Sequence, residues 1–176
     1  MLKSTHWYLV ALLSSLLSLG FHGYLAVQHF LLKYGLAHEK SACTISATFN
    51  CDVVAMSPYS VFLGYPLALW GFATHLVLIV LIAGALLGLS ANSDRLLRFA
   101  QLLGAFTFVM TLIMGTISLT SMKAYCLFCI ATYILSLFIC VALFLIERPR
   151  AADLKEDFGS LASSHRWIFV LFLCIP

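Results

Sequence analysis

Long stretches of this chain are almost bare of charge, and short polar segments punctuate them. Trp7 to Leu32 contains no Asp, Glu, Lys or Arg. A membrane-spanning helix needs about 20 predominantly apolar residues, so this stretch predicts a first span. It is too long for the apolar core of a signal peptide, and no clear small-x-small cleavage pattern follows it. Val53 to Ser93 is equally free of those residue types, but Pro58 and Pro66 interrupt its start. The second span is therefore placed at roughly Tyr65 to Leu89. Phe99 to Ile146 carries one charge, Lys123. That run is too long for a single helix and suits two joined by a tight turn near Ser118–Tyr125. The third span then covers Phe99 to Ser118, and the fourth Ala124 to Ile146.

Composition agrees with this reading and narrows the class. Of 176 residues, 62% are hydrophobic and 10% charged, and the mean hydropathy is +1.03. A soluble domain carries about 25% charged residues, and none of this length could hide so much apolar surface in one core. A conventional cytosolic enzyme, a disordered chain and a collagen-like chain are excluded. The net charge of +3 is spread along the chain and makes no nucleic-acid footprint. The expected fold is an all-α membrane protein, a four-transmembrane-helix bundle over residues 1–146 with an outer loop between helices 1 and 2. Residues 147–166 are charged, hold Pro149 and Gly159, and read as a cytoplasmic linker. Trp167 to Pro176 is apolar but only half a span long, and reads as the start of a truncated fifth helix.

Lys and Arg near span ends set the orientation. One side would hold Lys3, Arg95, Arg98, Arg148, Arg150, Lys155 and Arg166, and the other Lys33, Lys40 and Lys123. The richer side is expected in the cytoplasm. The segment from Lys33 to about Tyr59 and the turn at Lys123 are then outside.

On that map Cys43, Cys51, Cys126 and Cys129 share one oxidising side. Cys140 lies deeper in the bilayer and Cys174 in the last apolar stretch; both read as packing residues. Cys126 and Cys129 form a C-x-x-C at the start of the fourth helix. Residues i and i+3 share a helix face, and a helix N-terminus stabilises a thiolate. Lys123 adds a cation one turn earlier. Tyr133, at i+4 from Cys129, continues the stripe, and its phenol could donate a hydrogen bond to a carbonyl held in the membrane.

Other readings compete. C-x-x-C in a membrane helix is often two small apolar residues. A structural disulfide between Cys43 and Cys51 is an open alternative. A closed zinc site suits a ligand pair embedded in an apolar helix badly, and no metal is expected. Haem attachment needs a His where Ile130 stands. His6, His22, His29, His38, His75 and His165 show no metal-ligand spacing. His22 and His29 share a face of the first helix, which is more often packing than a site. Two cysteine pairs on one side of the membrane favour a redox relay over structure.

The combination is similar to the vitamin K epoxide reductase family. It comprises Cys43, Cys51 eight residues on, Ser57 six further, then Cys126-Leu127-Phe128-Cys129 opening the fourth helix, with Tyr133 four residues later. The resemblance covers Trp7 to about Ile146, and the run Ser57 to Pro66 looks like the bacterial members. The resemblance implies a membrane thiol oxidoreductase of the bacterial inner membrane. It would oxidise a periplasmic thioredoxin-fold (DsbA-like) protein, fused or separate, and pass the electrons to a quinone, ubiquinone or menaquinone. It also implies roles. Cys43 and Cys51 would receive electrons from the partner dithiol, Cys43 taking the mixed disulfide. Cys51 would attack Cys126, and Cys129 would face the quinone and pass it the electron pair. Ser57 and Tyr133 would polarise the quinone. No Asn stands in Ser57–Trp70 to match the one that holds the quinone carbonyl in the animal enzymes, which favours a plain quinone over vitamin K epoxide. Two alternatives stay open: quinone or quinone-epoxide reduction as the physiological output, and a non-catalytic assembly factor with a structural disulfide. No Asp, Glu, Lys or Arg lies inside a span, which argues against an ion or proton carrier.

Overall fold

The structure is a computed structural model, and it describes residues 2–37, 39–89 and 92–147, together with 156, 157 and 159. The chain divides into two compact units, Met1–Ile146 and Glu147–Pro176. The expected linker falls almost entirely, and the expected fifth span entirely, outside the described residues.

The first unit is a four-helix bundle. Its long helices are α1 (Leu2–Lys33), α3 (Leu67–Leu86), α4 (Ser93–Ser121) and α5 (Leu127–Ile146). All four are long and apolar enough to cross a membrane. Between α1 and α3 lie a short helix α2 (Cys51–Ala55), a 3-10 turn (Pro58–Ser60) and a two-stranded hairpin. The hairpin pairs β1 (Val61–Phe62) with β2 (Tyr65–Pro66) around Leu63-Gly64. Both turn residues have positive φ, 52° and 86°, which is the backbone a two-residue hairpin turn demands. Pro66 then caps α3 with an extended backbone.

The spans differ from the hydropathy reading at their ends. α4 begins at Ser93, six residues before Phe99: Asp94 suits the positive end of the helix, and Arg95 and Arg98 continue the helix although they do not fit lipid. α3 begins at Leu67 because Tyr65 and Pro66 belong to the hairpin.

α1 packs on α3 and α5, and α4 packs on the same two helices. The outward faces carry Leu13, Leu17, Val80, Val109, Leu112, Ile134 and Phe138, all exposed. The interior holds Ser14, Ser15, Ser18, Thr107, Thr132 and Ser136, all buried. Apolar outside and small or hydroxylated inside is the pattern of a bundle solvated by lipid. Several interior hydroxyls return to their own helix, as Ser15 Oγ donates to the Ala11 carbonyl and Thr132 Oγ1 to that of Cys129. Away from the cysteines, the core is an apolar cluster of Ala11, Leu78, Ile82, Ala85, Leu97, Ala100, Ile139, Ala142 and Leu143.

Candidate functional site

Cys126 is the N-cap of α5. Its carbonyl accepts from the Ile130 N–H at 3.0 Å, and its sulfur accepts from the Cys129 N–H at 3.2 Å. The sulfur occupies the place of the oxygen in an ordinary Ser or Asp cap. The Cys129 thiol and the backbone N–H groups of Cys129 and Phe128 hold the Cys126 thiol below its ordinary range, against the opposing effect of burial. Lys123 is exposed; hydrogen bonds, rather than its charge, account for the direction. Phe128, inside the C-x-x-C, is gripped by Phe21 and Tyr24 of α1 at ring distances of 5.0 and 5.3 Å. That contact fixes the start of α5 against α1.

The loop reaches this point by backbone pairing. Phe49 and Tyr125 form a parallel bridge, with Tyr125 N–H donating to Thr48 O at 2.7 Å and Asn50 N–H to Tyr125 O at 3.0 Å. Asn50 also caps α2 through its side chain, which accepts from Val53 N–H. Cys51 opens α2 directly after that cap, so the bridge sets Cys51 beside Cys126. Cys43 and Cys51 are joined in a disulfide, with Cα atoms 5.6 Å apart. The sulfurs of Cys43, Cys51 and Cys126 all lie within 4.8 Å of one another. Two of the three are spent in the disulfide, so the cluster is a thiol beside a disulfide rather than a set of thiolate metal ligands.

The loop is also held around Cys43. Ala42 N–H donates to the Tyr24 hydroxyl at 2.9 Å, and Ser41 N–H donates to Asp52 Oδ2 at 3.2 Å. Partial burial disfavours the Asp52 carboxylate, but hydrogen bonds from Ser41, Thr44 and Gln28 outweigh it and keep the carboxyl below its ordinary range. Cys43 and Cys51 are each only 1% exposed. A relay that begins at Cys43 needs that residue reachable from water; here the loop folds over it.

Beneath the cysteines lies a cavity of about 560 Å³, in the range of small-molecule sites. Cys51, Cys126, Cys129, Ser57 and Tyr133 all line it, together with apolar side chains such as Leu25, Ala68, Met110 and Met114. Ser57 Oγ is buried without a hydrogen-bond partner among the described residues. Ser57 thus lines an apolar cavity with its hydroxyl held under the surface and unspent on the protein, and the cavity as a whole suits a largely apolar ligand. Five of the six sequence-derived site residues thus surround one cavity, and Cys43 stands behind Cys51, bonded to it. Cys140 lies outside this group, part-exposed on α5.

Three histidines were missed by reading the sequence for metal spacing. His22, His29 and His75 line the same cavity. The signal available was their presence in otherwise uncharged spans, where a polar ring is costly unless it has a use.

A sequence profile of the vitamin K epoxide reductase family matches residues 9–144. The chain belongs to the vitamin K epoxide reductase family. The match covers most of α1 and α5, all of α3 and α4, and the cysteine loop. Membership makes the chain a membrane oxidoreductase. Vitamin K epoxide reductase family members use quinones as electron partners and are generally linked to thioredoxin-fold partners. No curated protein matches the sequence closely enough to refine the family assignment.

Proposed function

We propose that this protein is a quinone-dependent thiol oxidoreductase that draws electrons from a periplasmic thioredoxin-fold, DsbA-like protein and so sustains disulfide formation. The observation that carries the reading is the placement of the Cys43–Cys51 disulfide against Cys126, at the head of a cavity with Cys129 and Tyr133 in its wall.

A lipid-soluble acceptor needs the bilayer, and a protein dithiol needs water. One cysteine pair cannot easily serve both, and the loop pair bridges the gap by thiol–disulfide exchange. In the forward direction the partner's dithiol reduces the loop pair through Cys43. Cys51 then attacks the Cys126 sulfur of an oxidised C-x-x-C, and Cys129 leaves as the thiolate. The loop disulfide re-forms when Cys43 displaces Cys126 from Cys51. Cys126 is suited to this exchange because its N-cap position favours the thiolate. Cys129 faces the cavity, and Ser57 and Tyr133 supply hydroxyls to orient and polarise a carbonyl there. A bound quinone, ubiquinone or menaquinone, supplies the two-electron oxidising power. Its potential must lie above that of the partner dithiol, even one as oxidising as about −120 mV.

The charge pattern supports an outward-facing cysteine end in a bacterial inner membrane, with the N-terminus cytoplasmic. After reduction, Cys43 and Cys51 are expected to react with a membrane-impermeant maleimide from outside. Labelling confined to inverted vesicles would overturn that orientation. The function itself is tested with purified protein, a reduced thioredoxin-fold protein and short-chain ubiquinone or menaquinone. Quinone absorbance is expected to fall in step with thiol loss. An unchanged absorbance with both quinones would refute the reading.

A further inference from the structure

Cys43 sits in a tight turn whose two ends are hydroxyl residues. The Thr44 N–H donates to the Ser41 carbonyl at 2.9 Å and closes the turn Ser41-Ala42-Cys43-Thr44. The Ser41 and Thr44 hydroxyls meet across it at 2.8 Å. Ser41 Oγ also lies 3.7 Å from Cys43 Sγ, within hydrogen-bonding reach of a sulfur, and both residues are buried. The relay leaves this hydroxyl unused.

Asp52, the residue after Cys51, pins the turn to the other loop cysteine. Asp52 Oδ2 accepts from the Ser41 N–H at 3.2 Å, and the Asp52 N–H donates to Thr44 Oγ1 at 3.3 Å. The Tyr24 hydroxyl holds the Ala42 N–H between them. None of these bonds depends on the S–S bond, so they can keep the Cys43 sulfur beside Ser41 when that bond opens.

In the exchange proposed above, Cys51 changes partner between Cys43 and Cys126. When the Cys126 thiolate attacks Cys51 Sγ, the Cys51–Cys126 bond forms and the Cys43–Cys51 bond breaks. Cys43 takes the electron pair and leaves as a thiolate. The same thiolate is the nucleophile when the step runs back and the loop disulfide re-forms. A buried thiolate is costly without a donor. Tyr24 of α1, Asp52 of α2, and Cys126 and Cys129 of α5 are titratable groups packed around this cluster, and none of them is a cation. Ser41 Oγ is in place to donate to the sulfur, and a bond to an ion is about twice as strong as one between neutral groups. The single hydroxyl hydrogen of Ser41 is enough. It turns to the sulfur, and Thr44, kept as an acceptor by the Asp52 N–H, gives its own hydrogen to Ser41 Oγ. Each hydroxyl then donates once.

We propose that Ser41 is a further catalytic residue of the relay: its hydroxyl receives the Cys43 thiolate and so directs the attack of Cys126 to Cys51. The attacked sulfur is the one whose partner leaves most easily, and Ser41 eases the departure of Cys43. The role rests on the exchange between Cys51 and Cys126 proposed above.

The test uses the full chain carrying Cys129→Ser, in which the Cys43–Cys51 and Cys51–Cys126 disulfides interconvert without partner or quinone. Mass spectrometry of acid-quenched, alkylated peptides gives the ratio of the two. Adding Ser41→Ala is expected to lower the share of Cys51–Cys126 relative to Cys43–Cys51 by about fivefold, the size of one net hydrogen bond. Ser41→Thr keeps the hydroxyl and should stay near the starting ratio. If Ser41→Ala does not accumulate, Thr44→Val carries the test, with a smaller change in the same direction. A role confined to bracing the closed turn predicts the opposite sign, because loosening the turn frees Cys43. A rise in the share of Cys51–Cys126, or no change, would therefore overturn the role of Ser41 while leaving the relay standing. Absence of the Cys51–Cys126 link from Cys129→Ser itself would overturn the exchange, and the role of Ser41 with it.

Discussion

Cys129→Ala is expected to lose quinone reduction outright with every dithiol tested, and Cys126→Ala to do the same. Both residues line the cavity, and Cys129 is the thiol from which the proposed reaction delivers electrons there. Without it no disulfide can form on α5, and Cys126 alone cannot give up an electron pair. The loop variants should behave differently. Cys43→Ala and Cys51→Ala should block a protein dithiol, because the relay into the membrane starts at the loop. A small permeant dithiol can bypass the loop and reach the α5 pair, so these variants should retain activity with it. Cys140→Ala should be near the parent rate. The assay is quinone absorbance with two donors in parallel. Full activity in Cys129→Ala would eliminate the relay and leave Cys43–Cys51 as a structural bridge.

A covalent trap is the second large effect. In Cys129→Ser, Cys126 loses its partner, and most of the oxidised protein is expected to hold a Cys51–Cys126 disulfide with Cys43 free. The three sulfurs already lie within 4.8 Å of one another. A disulfide needs Cα atoms within about 7 Å, and the Phe49–Tyr125 bridge brings the chain beside Cys51 to the chain beside Cys126. Cys51 also lines the cavity with Cys126. In Cys51→Ser, Cys43 should instead collect a mixed disulfide with the thioredoxin-fold partner. Because Cys43 is 1% exposed under the closed loop, that species should form slowly, and faster when Tyr24→Phe removes the hydroxyl that holds Ala42. Mass spectrometry of non-reduced peptides distinguishes the products. A Cys43–Cys126 link with free Cys51 in Cys129→Ser would reverse the two loop assignments.

The spans were legible because lipid imposes one simple rule: every residue on the outer face must be apolar over a fixed length. The helix ends were less so. Charges in the first turns of α4 are compatible with a helix though not with lipid, and hydropathy sees only the second condition. The C-x-x-C stood out because Cys126 and Cys129 are close in sequence and open a helix. Its link to Cys51 came only from the family resemblance and not from the residues themselves, because the Phe49–Tyr125 bridge joins residues 76 positions apart through backbone atoms that carry no sequence signature. Burial of Cys43 was invisible for a related reason. The loop closes through Tyr24 of α1 and Asp52 of α2, each an ordinary polar residue by itself. The histidines were read one helix at a time, as packing. Their meaning comes from α1 and α3 lying side by side, which lets His22 stack on His75 in the gap left by Gly71.

The apolar cluster that closes the far half of the bundle bears on energetics across the membrane. Its nine buried residues include no titratable side chain. Carrying one charge through the field costs about 2.3 kcal/mol per 100 mV, and these residues offer a proton no stepping stones. In the proposed reaction the protons released by thiols and those taken up on forming hydroquinone are therefore exchanged at the cysteine end. On that reading no net charge would cross the bilayer and the proposed reaction would be electroneutral. Its equilibrium would then be set by the two redox couples alone, and the proposed disulfide formation is expected to continue when the membrane potential is collapsed, as long as oxidised quinone remains.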